Sequence, residues 1–361
     1  RGALRDFLMS DLFKQGIRHQ DLWLWDAWSV HRNDVINLFA LSVPRVDDDG
    51  HAIRPEQRND YQFTIIRFES LDRGISWLEV GRHRQPDADC AYQSANVWSG
   101  SVADLNGSLV EAFTGIKTDS PERPFIQSIY LAGLDDDFDG QSSICLVSSE
   151  RDYEQIVEAG YFLQPKEELG SVKGEEGGCI TAWRDPFLFN ASGKTLMAFA
   201  AKSAGGEPAM GLMEVIGDLP DVHARLCPPV TLLDAEDFTQ LEVPKIVFIK
   251  SLDAFLMLCS TTNRQSECQE SSEVDNLLRL YWASDITGPW KPAGTQTSII
   301  AGVDLLFGAT ILEIDEVSDR LICIAPYTSA ADAPLALSFA PRFFIDLRDV
   351  GTKQQIFAYF D

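Results

Sequence analysis

The sequence predicts an all-β fold, and three observations carry that prediction. Short apolar runs recur along the chain, from Val35–Val43 to Ala336–Asp346. Most are bounded by Gly, Asp, Asn or Pro, the residues that turn a chain between strands. Helical apolar periodicity is scarce after the N-terminus. Roughly fifteen to twenty strands without interleaved helices imply a large sandwich or a propeller. At four strands to a blade, a propeller of this length has about five blades.

The elements follow in order. Ala3–Lys14 has the spacing of a short amphipathic helix closing near Gly16. The expected strands then lie at Val35–Val43, Tyr61–Phe68, Ser76–Val80, Ser108–Thr114, Phe125–Leu131, Ser143–Val147, Ala182–Phe189 and Leu196–Ala201. They continue at Gly211–Val215, Lys245–Phe248, Ala254–Cys259, Leu277–Ala283, Ala309–Glu313, Arg320–Ala325 and Ala336–Asp346. No composition shift divides the series, so residues 1–361 read as one domain with residues 1–20 as a helical lead-in. Glu167–Gly178 and Thr262–Asp275 are long polar loops, a length that is often functional.

Composition narrows the function. The formal net charge of −25 argues against a nucleic-acid partner, which demands Lys/Arg patches. No apolar run reaches membrane-spanning length. No signal peptide stands at Arg1, and the expected setting is extracellular, as a mature chain after signal removal. The seven cysteines include no CxxC and the five histidines show no metal spacing, so neither a metal nor a cofactor is expected. Cys259 and Cys268 either close a small disulfide loop or are free thiols. Asp135, Asp137, Asp139 and Gly140 open like a calcium loop, but Leu146 stands where its glutamate belongs, so an acidic turn is the simpler reading. P-loop, GxGxxG and GxSxG motifs are absent.

Four stretches carry chemistry. Leu22–Ser29, with Trp23, Trp25 and Trp28, sets Asp26 between indoles. In a regular strand Trp23 and Trp25 point opposite to Asp26 and Trp28. A carboxylate among aromatics is costly unless hydrogen-bonded, and aromatic walls suit the C–H faces of a sugar ring. Trp183-Arg184-Asp185-Pro186 sets an ion pair into an apolar strand, with Pro186 placing Asp185 where the sheet opens. Leu241-Glu242-Val243-Pro244 puts a second acid before a strand, and Val97-Trp98-Ser99-Gly100-Ser101 pairs an aromatic with hydroxyls. Carboxylates converging from separate strands are what glycosidic bond cleavage needs: one to attack or stabilise the sugar cation, another to protonate the leaving oxygen.

In this order and spacing, WDAW, VWSGS, WRDP and LEVP resemble glycoside hydrolase family 68, which holds levansucrases, inulosucrases and related β-fructofuranosidases. Tyr281–Trp290 is similar to a blade ending of that family. The resemblance covers about residues 22–346 and implies a five-bladed β-propeller with a central acidic pocket and a retaining, two-step mechanism. It implies Asp26 as nucleophile, staying ionised, Asp185 as stabiliser of the transition state, and Glu242 as acid/base with a raised pKa. Trp25, Trp98, Ser99, Arg184, Gln240 and Tyr327 are then the substrate-binding residues, with Tyr327 close to the nucleophile. The implied partner is a small carbohydrate, sucrose or a fructan. Three departures fall around the leaving group: the family's D-E-I-E-R is here Thr239–Val243, a strand glutamate is here Ala200, and D-S-R is here Ser260–Thr262. Charged partners become neutral, so the fructosyl subsite reads as intact and its neighbour as rebuilt.

Overall fold

The computed structural model describes residues 12–105, 107–171, 182–264, 273–294, 297–328, 335–352 and 354–361. These form five antiparallel sheets arranged as the blades of a β-propeller. Blade 1 contains β1 (Leu12–Lys14), β2 (Leu22–Arg32), β3 (Val35–Pro44), β4 (Thr64–Ser70) and β5 (Ser76–Arg84), in the order β1-β5-β4-β3-β2. Blade 2 is the meander β6 (Asn96–Leu105), β7 (Ser108–Lys117), β8 (Ile126–Leu134) and β9 (Gly140–Ser148). Blade 3 is β10 (Arg184–Ala191), β11 (Lys194–Lys202), β12 (Pro208–Ile216) and β13 (His223–Leu226), with β14 (Val230–Thr231) also on β12. Blade 4 is β15 (Gln240–Ile249), β16 (Ala254–Thr262), β17 (Asn276–Ala283) and β18 (Lys291–Pro292). Blade 5 is β19 (Thr310–Asp315), β20 (Arg320–Ile324), β21 (Phe343–Asp346) and β22 (Ala358–Phe360). The inner strands touch in series: β19 meets β2, β2 meets β6, β6 meets β10, and β10 meets β15.

Continuous apolar runs, rather than polar/apolar alternation, follow from this stacking. Every blade is covered on both faces, so both sets of alternating side chains are buried. In β3, Phe39, Leu41 and Val43 pack toward blade 2, while Ile36, Leu38 and Ala40 pack toward blade 5. Five apolar clusters result, one at each junction between neighbouring blades. The junction of blades 2 and 3, for example, joins Ile129 and Leu131 to Trp183, Met197 and Phe199. The ring closes between its first and last blades: Leu24 N donates to Leu337 O at 2.8 Å, and Ile17 and Phe339 exchange two backbone hydrogen bonds.

The structure corrects the expected N-terminal helix at its end. Leu12–Lys14 is a strand, paired to β5 from Leu12–Leu78 to Lys14–Ser76, because the outer edge of blade 1 offers unpaired backbone groups there. Residues 1–11, and most of both long polar loops, lie outside the described residues. One short helix, Tyr153–Glu158, joins blades 2 and 3. Asp135–Gly140 is a tight turn in which Asp135 Oδ1 accepts from Asp137 N and Asp139 N. Cys259 is a buried free thiol, and Cys268 lies outside the described residues.

Candidate active site

Four inner strands carry the same irregularity, and the stretch ahead of the fifth parallels it. In β2, Trp25 faces Leu41 and Trp28 faces Phe39, so Asp26 and Ala27 share Ala40. In β6, Trp98 faces Thr114 and Ser101 faces Ala112, leaving Ser99 and Gly100 against Phe113. In β10, Arg184 faces Ala200 and Phe187 faces Ala198, leaving Asp185 and Pro186 against Phe199. In β15, Glu242 faces Ser260 and Lys245 faces Leu258, leaving Val243 and Pro244 against Cys259. Ahead of β19, Phe307 N donates to Pro326 O and Thr310 faces Ile324, leaving Gly308 and Ala309 against Ala325. The second residue of each quartet has positive φ in four blades: Asp26 at 29°, Asp185 at 59°, Val243 at 44° and Gly308 at 66°.

An extra residue bends the strand and re-aims its side chains. Asp and Gly tolerate this backbone region, whereas a β-branched residue such as Val243 is strained in it. Pro186 and Pro244 fit because the extra residue has no ladder bond to lose. The bulge also overturns the simple alternation expected of Trp28. Trp23, Trp25 and Trp28 share one core cluster, Leu24 and Ala27 share another, and Asp26 belongs to neither.

The re-aimed side chains meet around the axis. Ser99 Oγ donates to Asp26 Oδ2 at 2.9 Å. Val243 N donates to Asp185 Oδ2 at 3.1 Å, and Asp185 N donates to Thr114 Oγ1 at 2.9 Å. Thr114 Oγ1 in turn donates to Ser99 O at 3.1 Å, tying blade 2 to blade 3. Arg184 lies between the acids: its Nε is 3.8 Å from Asp185 Oδ2 and its Nη2 is 3.7 Å from Glu242 Oε1. Arg184 Nη2 also donates to Gln240 Oε1 at 3.4 Å. Trp25 packs edge-on against Phe63, which stacks on Trp98, making a wall of three rings.

Electrostatics act strongly on Asp26. Burial and the neighbouring Asp185 carboxylate push Asp26 up to about 6, against the opposing pull of Ser99, Lys245 and Arg58. The carboxyl expected to stay ionised thus lies well above the usual carboxylate range. Lys245 is buried, and burial lowers it to about 8 although Asp185 and Asp26 both pull it upward.

These contacts place eight of the nine expected residues together: Asp26 with Ser99, Asp185 and Glu242 around Arg184 and Gln240, and Trp25 with Trp98. Tyr327 is the exception. It packs on the core between blades 4 and 5, with its backbone N donating to Ser338 O, and it has no hydrogen bond to Asp26 among the described residues. Four residues escaped the sequence reading. Lys245 looked like an ordinary strand residue, and Thr114 is one hydroxyl among many. Arg58 comes from the 3-10 helix Pro55–Asp60, with its guanidinium carbon 5.7 Å from the Trp25 ring centroid. Gly308 is required by space, since a Cβ there would lie 2.5 Å from Asp26 Oδ1. Among the described residues no group of three or more His, Cys, Asp or Glu is placed to hold a metal ion.

The propeller decides the comparison with solved structures. The fold is that of bacterial levansucrases. A Bacillus megaterium levansucrase variant superposes with a TM-score of 0.67 at 15% identity, over 96% of this chain and 88% of that one. Bacillus subtilis levansucrase gives 0.62 at 15% identity, over 99% of this chain and 90% of that one. A levansucrase variant solved with sucrose gives 0.63 at 15% identity, with the same coverage. No protein-family model matches the sequence, and no curated protein sequence does.

Proposed function

We propose that this chain is a retaining fructoside-active enzyme and a divergent member of glycoside hydrolase family 68. The observation that carries the reading is the repeated bulge, which aims Asp26 and Asp185 at the propeller axis and holds Glu242 against Arg184. The shared levansucrase fold supports it, as does the sucrose held by one of those relatives.

In this reading the fructosyl ring of sucrose or a related β-fructofuranoside sits against Trp25 and Trp98. Asp26 attacks the anomeric carbon while Glu242 gives its proton to the leaving oxygen. Asp185 and Arg184 hold sugar hydroxyls as positive charge develops on the ring. The fructosyl-enzyme is released by water, giving hydrolysis, or by a sugar hydroxyl, giving fructosyl transfer. Glu242 takes up the proton in either case. Gln240, hydrogen-bonded to Arg184, borders the leaving-group side, where a neutral side chain replaces a charged one. Extracellular sugar is the corresponding substrate pool.

The test is product analysis with sucrose, raffinose and short fructo-oligosaccharides, using Asp26→Ala as blank. Free glucose with fructose or longer fructans, absent from the blank, is the expected result. Folded protein that turns over none of them would sink the reading. Sugar binding without turnover, seen by calorimetry, would make the propeller a binding module.

A further inference from the structure

The catalytic reading leaves a buried charge beside the site acids unused. Lys245 is 1% exposed, an extreme burial for a lysine, and no hydrogen bond to its ammonium is found among the described residues. Its place is set by the bulge. Glu242 and Lys245 are three residues apart and would point to opposite faces of a regular strand. The extra residue at Val243–Pro244 makes them the two ends of the quartet instead. The corresponding residues of the other inner strands are Trp28, Ser101, Phe187 and Thr310, none of them charged. The ammonium lies 5.6 Å from the Phe187 ring centroid, two residues beyond Asp185. It interacts electrostatically with both Asp185 and Asp26.

A cation is not removed from water for packing alone, since Met or Leu fills such a site without the desolvation cost. Part of the cost is offset here by two carboxylates that otherwise repel each other. We propose that Lys245 is a positioning residue, whose buried ammonium favours the ionised form of Asp26 beside Asp185 so that Asp26 keeps its nucleophilic charge. The charges acting on Asp26 are Asp185 from β10, Lys245 from β15 and Arg58 from the 3-10 helix, while Arg184 lies between Asp185 and Glu242. Arg184 serves the Asp185–Glu242 side, and Lys245 serves the Asp26–Asp185 side. The role in catalysis rests on the fructoside reading, whereas the effect on Asp26 does not.

The experiment is a pH titration of intrinsic tryptophan fluorescence, which reads Asp26 through its neighbour Trp25, with Asp26→Asn as the blank that removes the transition. Lys245→Met and Lys245→Gln are compared with the wild type, each checked for folding by circular dichroism. The proposal expects the midpoint to rise by at least about one pH unit, a tenfold gain in proton affinity. Fructoside turnover should lose its acidic limb by the same interval, with KM little changed. An unmoved midpoint in a folded variant overturns the proposal even where fructosides are turned over. A shifted midpoint without turnover of any fructoside sinks the fructoside reading instead. If both neutral variants fail to fold, combining each with Asp26→Asn should restore folding, because the defect is a carboxylate stripped of its cation. Failure of the double variants to fold overturns the proposal.

Discussion

Asp26 is held at a cost to the fold. Its carboxyl is raised from 3.8 to about 6 by burial and by Asp185, so folding disfavours the ionised form. The stability lost to Asp26 is absent below its unfolded pKa, develops as pH rises from about 4, and is complete above about 6. The shift corresponds to at most about 3 kcal/mol. Asp26→Asn should therefore melt at a higher temperature than wild type at pH 7, the difference vanishing near pH 4, while turnover falls by at least about 10³-fold. Melting curves across that pH range check the sign. Equal stability at both pH values would mean that the carboxylate is not strained. Gly308 works on the same group from the opposite side. A methyl there meets Asp26 Oδ1 at 2.5 Å, at a backbone φ of 66° that L-residues resist. Gly308→Ala should displace the carboxylate and lower kcat on the order of 10²-fold, the typical cost of a misplaced reacting group. Steady-state kinetics on the same substrates measure it. The acids and aromatics of this site were legible as side chains in a motif. Gly308 was not, because its contribution is the atom that it lacks.

At the scale of the element, the bulge is the unit that the site is built from, although the blades share no sequence repeat at it. The five quartets read WDAW, WSGS, RDPF, EVPK and FGAT. They share no residue at any one position throughout. What recurs is the backbone turn through positive φ, met in four of the five by Asp, Asp, a strained Val and Gly. Strand positions were legible because both faces of each blade are buried and apolar runs result. Strand ends were not: the run at Lys245–Phe248 belongs to a strand that begins at Gln240, since polar side chains interrupt the apolar pattern there. A separate buried network ties neighbouring blades. Glu111 of β7 is buried and accepts from Arg84 Nε at 2.8 Å, with His83 Nε2 at 2.9 Å, both from the end of β5. Burial alone would raise its pKa, but Arg84 and His83 hold it down to about 2. Its contribution is thus complete above about 4.5 and lost as pH falls toward 2. Glu111→Gln should destabilise the protein by about 3 kcal/mol at pH 7, because it strands a buried guanidinium. Urea unfolding at pH 7 and pH 3 tests this, with the gap between variant and wild type narrowing at the lower pH.

For the whole molecule, five blades make a ring only if the first and last are joined, and that joint was invisible in the sequence. It pairs residues more than three hundred positions apart: Ile17 with Phe339 and Leu24 with Leu337. Counting apolar runs gives the number of blades but says nothing about which backbone groups seal them. The same blind spot produced the expected N-terminal helix, because Leu12 to Lys14 are recruited by the open edge of β5 rather than by local propensity. The seam brings blade 5 against β2, the strand that carries Asp26, so closure and site geometry depend on one contact. Gly16 lies close against it. Its φ is 98°, and a Cβ would come within 2.2 Å of Phe339 O. Gly16→Ala must therefore move one chain away from the other, and the backbone pair beside it cannot form as before. The expected cost is at least about 2 kcal/mol, read as a lowered urea midpoint. Amide exchange should accelerate first at Ile17, Leu24 and Phe339, and turnover should fall with it because β2 is anchored through Leu24. A variant that exchanges and melts like wild type would mean that the inter-blade cores alone close the ring.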